Sequence, residues 1–164
     1  MAKFPDVDLT ELPKTFEALV PDSYIDLMGH MNVAWYSYFF SDAMLGLYTQ
    51  LGSGADDIND RQLGRFAMET HIRYLREVRI GEQIEVYSRF IARNEKRFQV
   101  MNFMWNKTQE GISATYEVVG TSIDLRLRKP TPFQTELTVE IDKMIAKHKA
   151  LDWAPPLCGV MGPR

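Results

Sequence analysis

The chain has 164 residues and a net charge of −3, and its composition, 45% apolar and 25% charged, is ordinary for a globular protein. This length suggests one domain, and the weak negative charge argues against a broad basic surface for nucleic acid or an anionic membrane. The single cysteine, Cys158, cannot form an internal disulfide, and no Cys/His cluster in the sequence suggests a metal site. We expect a cytoplasmic protein, because no segment resembles a signal peptide or reaches the roughly 18 apolar residues of a membrane span.

The first half of the chain predicts a strand followed by a buried helix. Residues 1–13 carry two prolines and are predicted to form an irregular leader, and 14–20 is predicted as a strand. Residues 33–51 are apolar on nearly every face, which is typical of a helix buried on all sides. Asn32 immediately precedes this segment and is a good N-cap. Residues 52–64 are predicted to be a loop.

The second half has the two-residue period of a sheet. Strands are predicted in "RFAMETHIRYL", "QIEVYSRFIAR", "RFQVMNFMWN" and "ISATYEVVGTSIDLRL", with hairpin turns at 94–97 and 106–111. "TELTVEIDKMIAKHKALDW" has the spacing of an amphipathic helix, and residues 152–164 are predicted to form a loose tail. The order predicts a single α+β domain over 1–164, in which an antiparallel sheet of five or six strands curls around the buried helix.

One loop carries a motif that resembles a known family. Asp26, Gly29, His30 and Asn32 form the pattern D-x-x-G-H-x-N directly before the buried helix. This pattern resembles the active-site loop of the 4-hydroxybenzoyl-CoA thioesterase-like branch of hotdog-fold proteins, and "HIRYLREVRIGEQIEV" and "DLRLRKPTPF" resemble its later strands. The resemblance covers roughly residues 15–150. It implies a hotdog fold, hydrolysis of a small or medium acyl-CoA, and a homodimer or tetramer with active sites between protomers.

A narrower resemblance concerns the substrate. "METHIRYLREVRIGE" and "NEKRF" are similar to the betainyl-CoA thioesterase domain of carnitine dehydrogenase fusions. Betainyl-CoA, from carnitine metabolism, is therefore among the expected substrates. No cofactor is expected besides the CoA that the substrate carries.

The loop contains the groups that thioester hydrolysis requires. Asp26 is the candidate nucleophile or general base, and the N–H groups at the start of the helix are candidate oxyanion donors. His30 is a candidate to orient the loop, bind the thioester oxygen or protonate the departing thiolate. Gly29 lets the backbone approach a substrate closely. Asn32 is a candidate to position water or substrate, although capping explains it equally well.

Further residues are candidates for binding the acyl group and CoA. Trp35 and Tyr36 are candidates for a cation–π contact with a trimethylammonium group, and Glu69 and His71 share a strand face that would suit a cationic acyl group. The basic turn with Arg93, Lys96 and Arg97 is a candidate for the CoA phosphates. For most of these residues a structural role in the core, or on a solvated face, is the alternative.

Two other functions are considered. Hydratases of the same fold usually have a histidine five positions after the aspartate and an Asn-Pro pair between them. Here His30 follows Asp26 by four positions and no proline intervenes, which argues against that activity. A non-catalytic acyl- or CoA-binding module is the second alternative, and the complete loop argues against it only weakly.

Overall fold

The computed structural model describes residues 7–164, so the predicted leader lies outside the described residues over 1–6. Residues 7–13 contain neither helix nor strand. The elements are β1 (Lys14–Leu19), α1 (Val33–Gln50), α2 (Ala55–Asn59), β2 (Leu63–Tyr74), β3 (Gln83–Arg93), β4 (Arg97–Asn106), β5 (Gly111–Asp124), β6 (Lys129–Pro130) and α3 (Thr135–Lys149). The strands form one antiparallel sheet in the order β1-β3-β4-β5-β2, and the short β6 also pairs with β5. The curled sheet and the long helix α1 confirm the predicted hotdog fold.

The inner face of the sheet packs on α1. Phe40 and Leu47 of this helix are fully buried, and Phe40 stacks on Tyr116 of β5. Gly46 lies against β1, where an added Cβ would overlap the carbonyl oxygen of Thr15. The helix is not buried on every side as predicted, since Val33, Tyr38 and Leu45 are half exposed or more in the single chain.

The predicted loop at 52–64 contains the short helix α2, which an ion-pair cluster holds against β2. Asp57 is buried and pairs with Arg61 and Arg65, and Ser53 donates a hydrogen bond to the same carboxylate. Arg65 also lies over the ring of Tyr48 at 3.9 Å, so the cluster joins α2, β2 and α1.

Strand β2 contains a β-bulge that the alternating pattern did not predict. The pairing with β5 shifts between Ala67 and Glu69, so that Met68 is the extra residue. Ile72 packs into the core that surrounds α1, whereas Phe66 is largely exposed and pairs with Thr121 on the opposite face. The bulge therefore reverses which residues of β2 face α1.

The C-terminal segment, where the sequence predicts a loose tail, packs on the outer face of the sheet without forming a helix or strand. Trp153 packs edge-on against Phe103, and its backbone carbonyl accepts a hydrogen bond from Arg89 at 2.9 Å. Farther along, the Cys158 N–H donates to Glu117 at 2.7 Å. Residues 7–12 and 151–157 together cover the outer apolar cluster around Met101 and Phe103. Within residues 7–164, no helix has the length and apolar composition to cross a membrane.

Candidate active site

The loop that precedes α1 is a tight turn closed by backbone hydrogen bonds. Ile25 bridges to Met31, the Asp26 N–H donates to the His30 carbonyl at 3.0 Å, and the Gly29 N–H donates back to the Asp26 carbonyl at 3.0 Å. Gly29 has a φ of +82°, a conformation that side chains disfavour, and no atom lies within 4 Å of the position of an added Cβ. The glycine is therefore required by the turn, and the space beside it is open.

Asp26 and His30 face each other across this turn. One carboxylate oxygen, Oδ1, accepts the Met28 N–H at 2.8 Å, while Oδ2 lies 3.7 Å from His30 Nδ1. The Asp26 side chain is 19% exposed and that of His30 is 29% exposed. The backbone thus fixes the orientation of the carboxylate, and its second oxygen remains accessible to a substrate or water.

Asn32 caps α1, as predicted. Its side-chain oxygen accepts the Ala34 N–H at 3.0 Å, and its carbonyl accepts the Trp35 N–H at 3.0 Å. Two of the N–H groups at the start of the helix are therefore engaged within the chain. The Val33 N–H, at the first helical position, donates to no group of the described residues and is the helix donor that remains for a substrate.

A cavity of about 270 Å³ opens beside His30. Its lining consists of His30, Met31, Val33, Tyr36, Tyr74, Leu75, Arg76 and Glu77. The rings of Tyr36 and Tyr74 meet edge to face at 5.1 Å, and burial raises the pKa of Tyr36 to about 12. The Tyr36 phenol therefore stays neutral at physiological pH. Trp35 does not line this cavity, because its ring stacks flat on Tyr24 at 3.7 Å.

The structure does not bring Glu69 and His71 to this loop. Tyr116 of β5 stacks on α1, so the next residue, Glu117, points to the outer face of the sheet. His71 pairs directly with Glu117 and lies on that face too, and Glu69 follows by the two-residue period. Within one chain both side chains are thus on the opposite side of the sheet from α1.

The predicted CoA-binding turn is also remote from Asp26 in the single chain. Arg93, Lys96 and Arg97 lie at one end of β3, whereas the Asp26 loop follows β1 near the other end. The 11 residues of β3 separate the two by roughly 30 Å. Arg93 already pairs with Asp142, and Arg97 donates to the Arg164 carbonyl at 2.6 Å.

Comparison with known proteins assigns the family. Residues 20–141 match the model of the thioesterase-like superfamily, which is more than half of the chain. The chain belongs to the thioesterase-like superfamily. It is accordingly a hydrolase of thioester bonds.

The names of two curated relatives share betainyl-CoA as the thioester substrate. This thioesterase is 23% identical over 143 residues to the betainyl-CoA thioesterase of Pseudomonas aeruginosa, covering 87% of this chain and 90% of that protein. It is also 28% identical over 135 residues to the L-carnitine dehydrogenase/betainyl-CoA thioesterase of Agrobacterium fabrum. That match spans 81% of this chain but only 27% of that longer protein.

Solved structures share the fold of this thioesterase. A putative thioesterase from Pseudomonas putida superposes with a TM-score of 0.78 at 24% identity, covering 93% of this chain and 97% of that one. A Staphylococcus aureus protein solved in complex with CoA gives the same TM-score of 0.78 at 20% identity, covering 87% of this chain and 90% of that one.

The sequence analysis missed the part of the cavity lining that comes from the end of β2 and the residues after it. Residues 74–77 line the cavity beside His30. They lie at the end of β2 and directly after it, in the "RYLREVRIG" segment, which carried the family resemblance without indicating any role for them. Their position depends on the Met31 N–H, which donates to the Val78 carbonyl at 2.7 Å and holds this segment against the loop.

Proposed function

We propose that this thioesterase hydrolyses acyl-CoA with a small cationic acyl group, betainyl-CoA first of all. The observation that carries the proposal is the cavity beside His30. It places two tyrosine rings and the acidic residue Glu77 next to the Asp26 loop. Aromatic faces and a carboxylate are the groups that bind a quaternary ammonium ion in proteins. The names of the relatives from Pseudomonas aeruginosa and Agrobacterium fabrum support the same acyl group.

Asp26 supplies the reactive carboxylate in this proposal. Its Oδ1 is held by the Met28 N–H, so Oδ2 either attacks the thioester carbonyl or removes a proton from the attacking water. Attack on the carbonyl breaks the bond from the acyl carbon to sulfur, and CoA leaves as a thiolate that takes up a proton. Where Asp26 is the nucleophile, water then hydrolyses the anhydride formed between Asp26 and the acyl group, which releases the free acid and restores the carboxylate. His30, whose Nδ1 lies 3.7 Å from Oδ2, orients the carboxylate and is placed to protonate the leaving group.

The start of α1 supplies the oxyanion donor. Since Asn32 engages the Ala34 and Trp35 N–H groups, the Val33 N–H is the one directed at the developing negative charge. The positive end of the helix dipole acts in the same direction. Asn32 thereby acts as a positioning residue that sets the angle of this N–H group.

We also propose that the protein is a homodimer. Strand β2 is at one end of the strand order, so one edge of its 12 residues pairs with no other strand of residues 7–164. Phe66, Met68 and Tyr74 on this strand are 43%, 53% and 50% exposed. Long apolar edges of this kind need a partner, and a second copy of β2 fits because the edge is identical on both chains. Leu27 and Met28 at the tip of the Asp26 loop are also highly exposed and suit a contact with the second chain.

Steady-state hydrolysis tests the proposal. Betainyl-CoA is compared with tert-butylacetyl-CoA, which has the same shape without the charge, and with acetyl-, hexanoyl- and benzoyl-CoA. We expect kcat/KM for betainyl-CoA to exceed that for its neutral analogue about tenfold or more, because a desolvated cation–π contact contributes about 1–2 kcal/mol. We expect Asp26→Asn to lower kcat by several orders of magnitude with little change in the folded structure.

The outcomes separate the parts of the proposal. Equal rates for betainyl-CoA and tert-butylacetyl-CoA would contradict the preference for a cationic acyl group but not the thioesterase activity. An Asp26→Asn variant as active as the parent would make Asp26 structural. If no acyl-CoA were hydrolysed while CoA still bound, the chain would be a binding module.

A further inference from the structure

We propose that His71, Glu117 and Cys158 form a binding site for a divalent transition-metal ion, with Zn²⁺ the preferred ion. An imidazole nitrogen, a carboxylate oxygen and the thiol sulfur of these residues all lie within 4.8 Å of one another. The site is on the outer face of the sheet, on the other side of the sheet from α1. It is therefore separate from the candidate active site.

Two of the three groups are placed by the sheet itself. His71 on β2 and Glu117 on β5 are directly paired residues, so their side chains leave the sheet side by side. Paired positions of an antiparallel ladder hold their Cβ atoms about 5 Å apart, which is a suitable base for two ligands of one ion. Neither side chain needs a flexible loop to reach the other.

The C-terminal segment brings the third group. Its Cys158 N–H donates to Glu117 Oε2 at 2.7 Å, which fixes the cysteine directly over the carboxylate. The following residue, Gly159, has a φ of +81° and turns the chain immediately after the cysteine. Cys158 is the only cysteine of the chain.

The surroundings of Glu117 provide an independent argument for a cation. The side chain is completely buried, and within residues 7–164 no ion pair compensates it. Its partners are the Gln99 side-chain amide at 2.7 Å and the Cys158 N–H. A buried carboxylate without a cation is costly, and a bound divalent ion would compensate its charge.

The donor set indicates which ion would bind. Nitrogen and thiolate ligands with one carboxylate suit Zn²⁺ and exclude Mg²⁺ or Ca²⁺ as preferred ions, because those bind oxygen. Zinc bonds of about 2.0–2.3 Å place ligand atoms about 3–4 Å apart, so the three side chains need only a small closure. Binding converts the Cys158 thiol to a thiolate and releases its proton to solvent, and the apparent affinity therefore rises with pH.

A cobalt titration of the full chain, prepared without a polyhistidine tag, tests the site. Thiolate bound to Co²⁺ gives a ligand-to-metal charge-transfer band in the near ultraviolet, and only Cys158 can produce it in this chain. We expect one equivalent of Co²⁺ to develop the band and Zn²⁺ to abolish it by displacement. We also expect Zn²⁺ to raise the Tm of the parent protein.

Three variants and one control identify the ligands. Cys158→Ser should abolish the band, and His71→Gln and Glu117→Gln should weaken Co²⁺ binding at least about tenfold. His30→Gln removes a histidine outside the site and should bind Co²⁺ as the parent does. Circular dichroism establishes that each variant is folded.

Each of the following results would overturn the proposal. A parent protein without the band has no metal–thiolate site. If the folded variants His71→Gln and Glu117→Gln bound Co²⁺ with the affinity of the parent, Cys158 would be the only ligand and the three-residue site would not exist. Should Glu117→Gln fail to fold, Cys158→Ser still decides the matter, because a Zn²⁺-dependent rise in Tm that persists in this variant would place the ion elsewhere.

Discussion

His148 on α3 is a buried histidine with 1% of its surface exposed. Its Nδ1 accepts the Phe90 N–H at 2.9 Å, and among the described residues its Nε2 has no partner. Burial lowers its pKa to about 4, and the positive charges of Arg89 and Lys147 act in the same direction. The imidazole is therefore neutral in the folded protein over most of the accessible pH range.

This histidine should make stability depend on pH. The unfolded chain takes up a proton at His148 near pH 6.5, whereas the folded chain does so only near pH 4. The free energy of unfolding should therefore decrease as the pH falls through this interval, by up to roughly 3 kcal/mol. Urea unfolding at a series of pH values measures the effect. His148→Gln should flatten that part of the profile, and an unchanged profile would contradict the assignment.

Glu77 is the carboxylate of the cavity beside His30, and it also pairs with Arg79 at the surface. Glu77→Gln keeps its shape and removes its charge. We expect kcat/KM for betainyl-CoA to fall several-fold while that for tert-butylacetyl-CoA stays unchanged, because only the cationic acyl group interacts with the charge. A parallel fall for both substrates would show that Glu77 acts on folding or on CoA and not on the acyl group.

At the scale of the elements, α1 approaches the backbone of β1 closely at Gly46. An added Cβ there would overlap the Thr15 carbonyl oxygen. Gly46→Ala should therefore lower the free energy of unfolding by about 1–3 kcal/mol, despite the higher helix propensity of alanine. Ser37→Ala, at an exposed position of the same helix, is the control and should be neutral or slightly stabilising. Chemical denaturation compares them, and a stabilised Gly46→Ala would mean that α1 can move away from β1.

Elements with local signals were predictable from the sequence. The apolar run after Asn32 predicted α1, and the structure starts the helix at Val33. The turns at 94–97 and 106–111 lie between β3, β4 and β5 as expected. The Asp26 loop was found because all four motif residues lie within seven positions of the chain.

Features that depend on distant pairing were not predictable. The bulge at Met68 is defined only by the register of β2 on β5. The C-terminal segment was predicted to be loose because it is rich in proline and glycine. Its Cys158 N–H binds Glu117 and its Trp153 packs on Phe103, and both of these partners lie on strands that are remote in the sequence. For the same reason the sequence alone did not indicate that His71, Glu117 and Cys158 lie close together.

At the scale of the whole molecule, the proposed contact between copies is the edge of β2 that pairs with no other described strand. Met68→Lys places a charge on that edge, where lysine disfavours pairing between chains. We expect the parent to have the mass of a dimer by light scattering at micromolar concentration, and the variant to shift toward the monomer.

The other end of the sheet provides a matched control for this experiment. Leu19 on β1 is 67% exposed, and Leu19→Lys should leave the dimer intact. Loss of the dimer only in Leu19→Lys would place the interface at β1. A parent that is monomeric would contradict a homodimer altogether.

The bulge in β2 limits the insertions and deletions that this strand can accept. Arg65 and His71 are six positions apart, and in a regular strand they would lie on the same face. The extra residue at Met68 lets Arg65 face inward to Asp57 while His71 faces outward to Glu117. Deleting Met68 would remove the register shift, and the strand would then lose either the contact of Arg65 with Asp57 or that of His71 with Glu117.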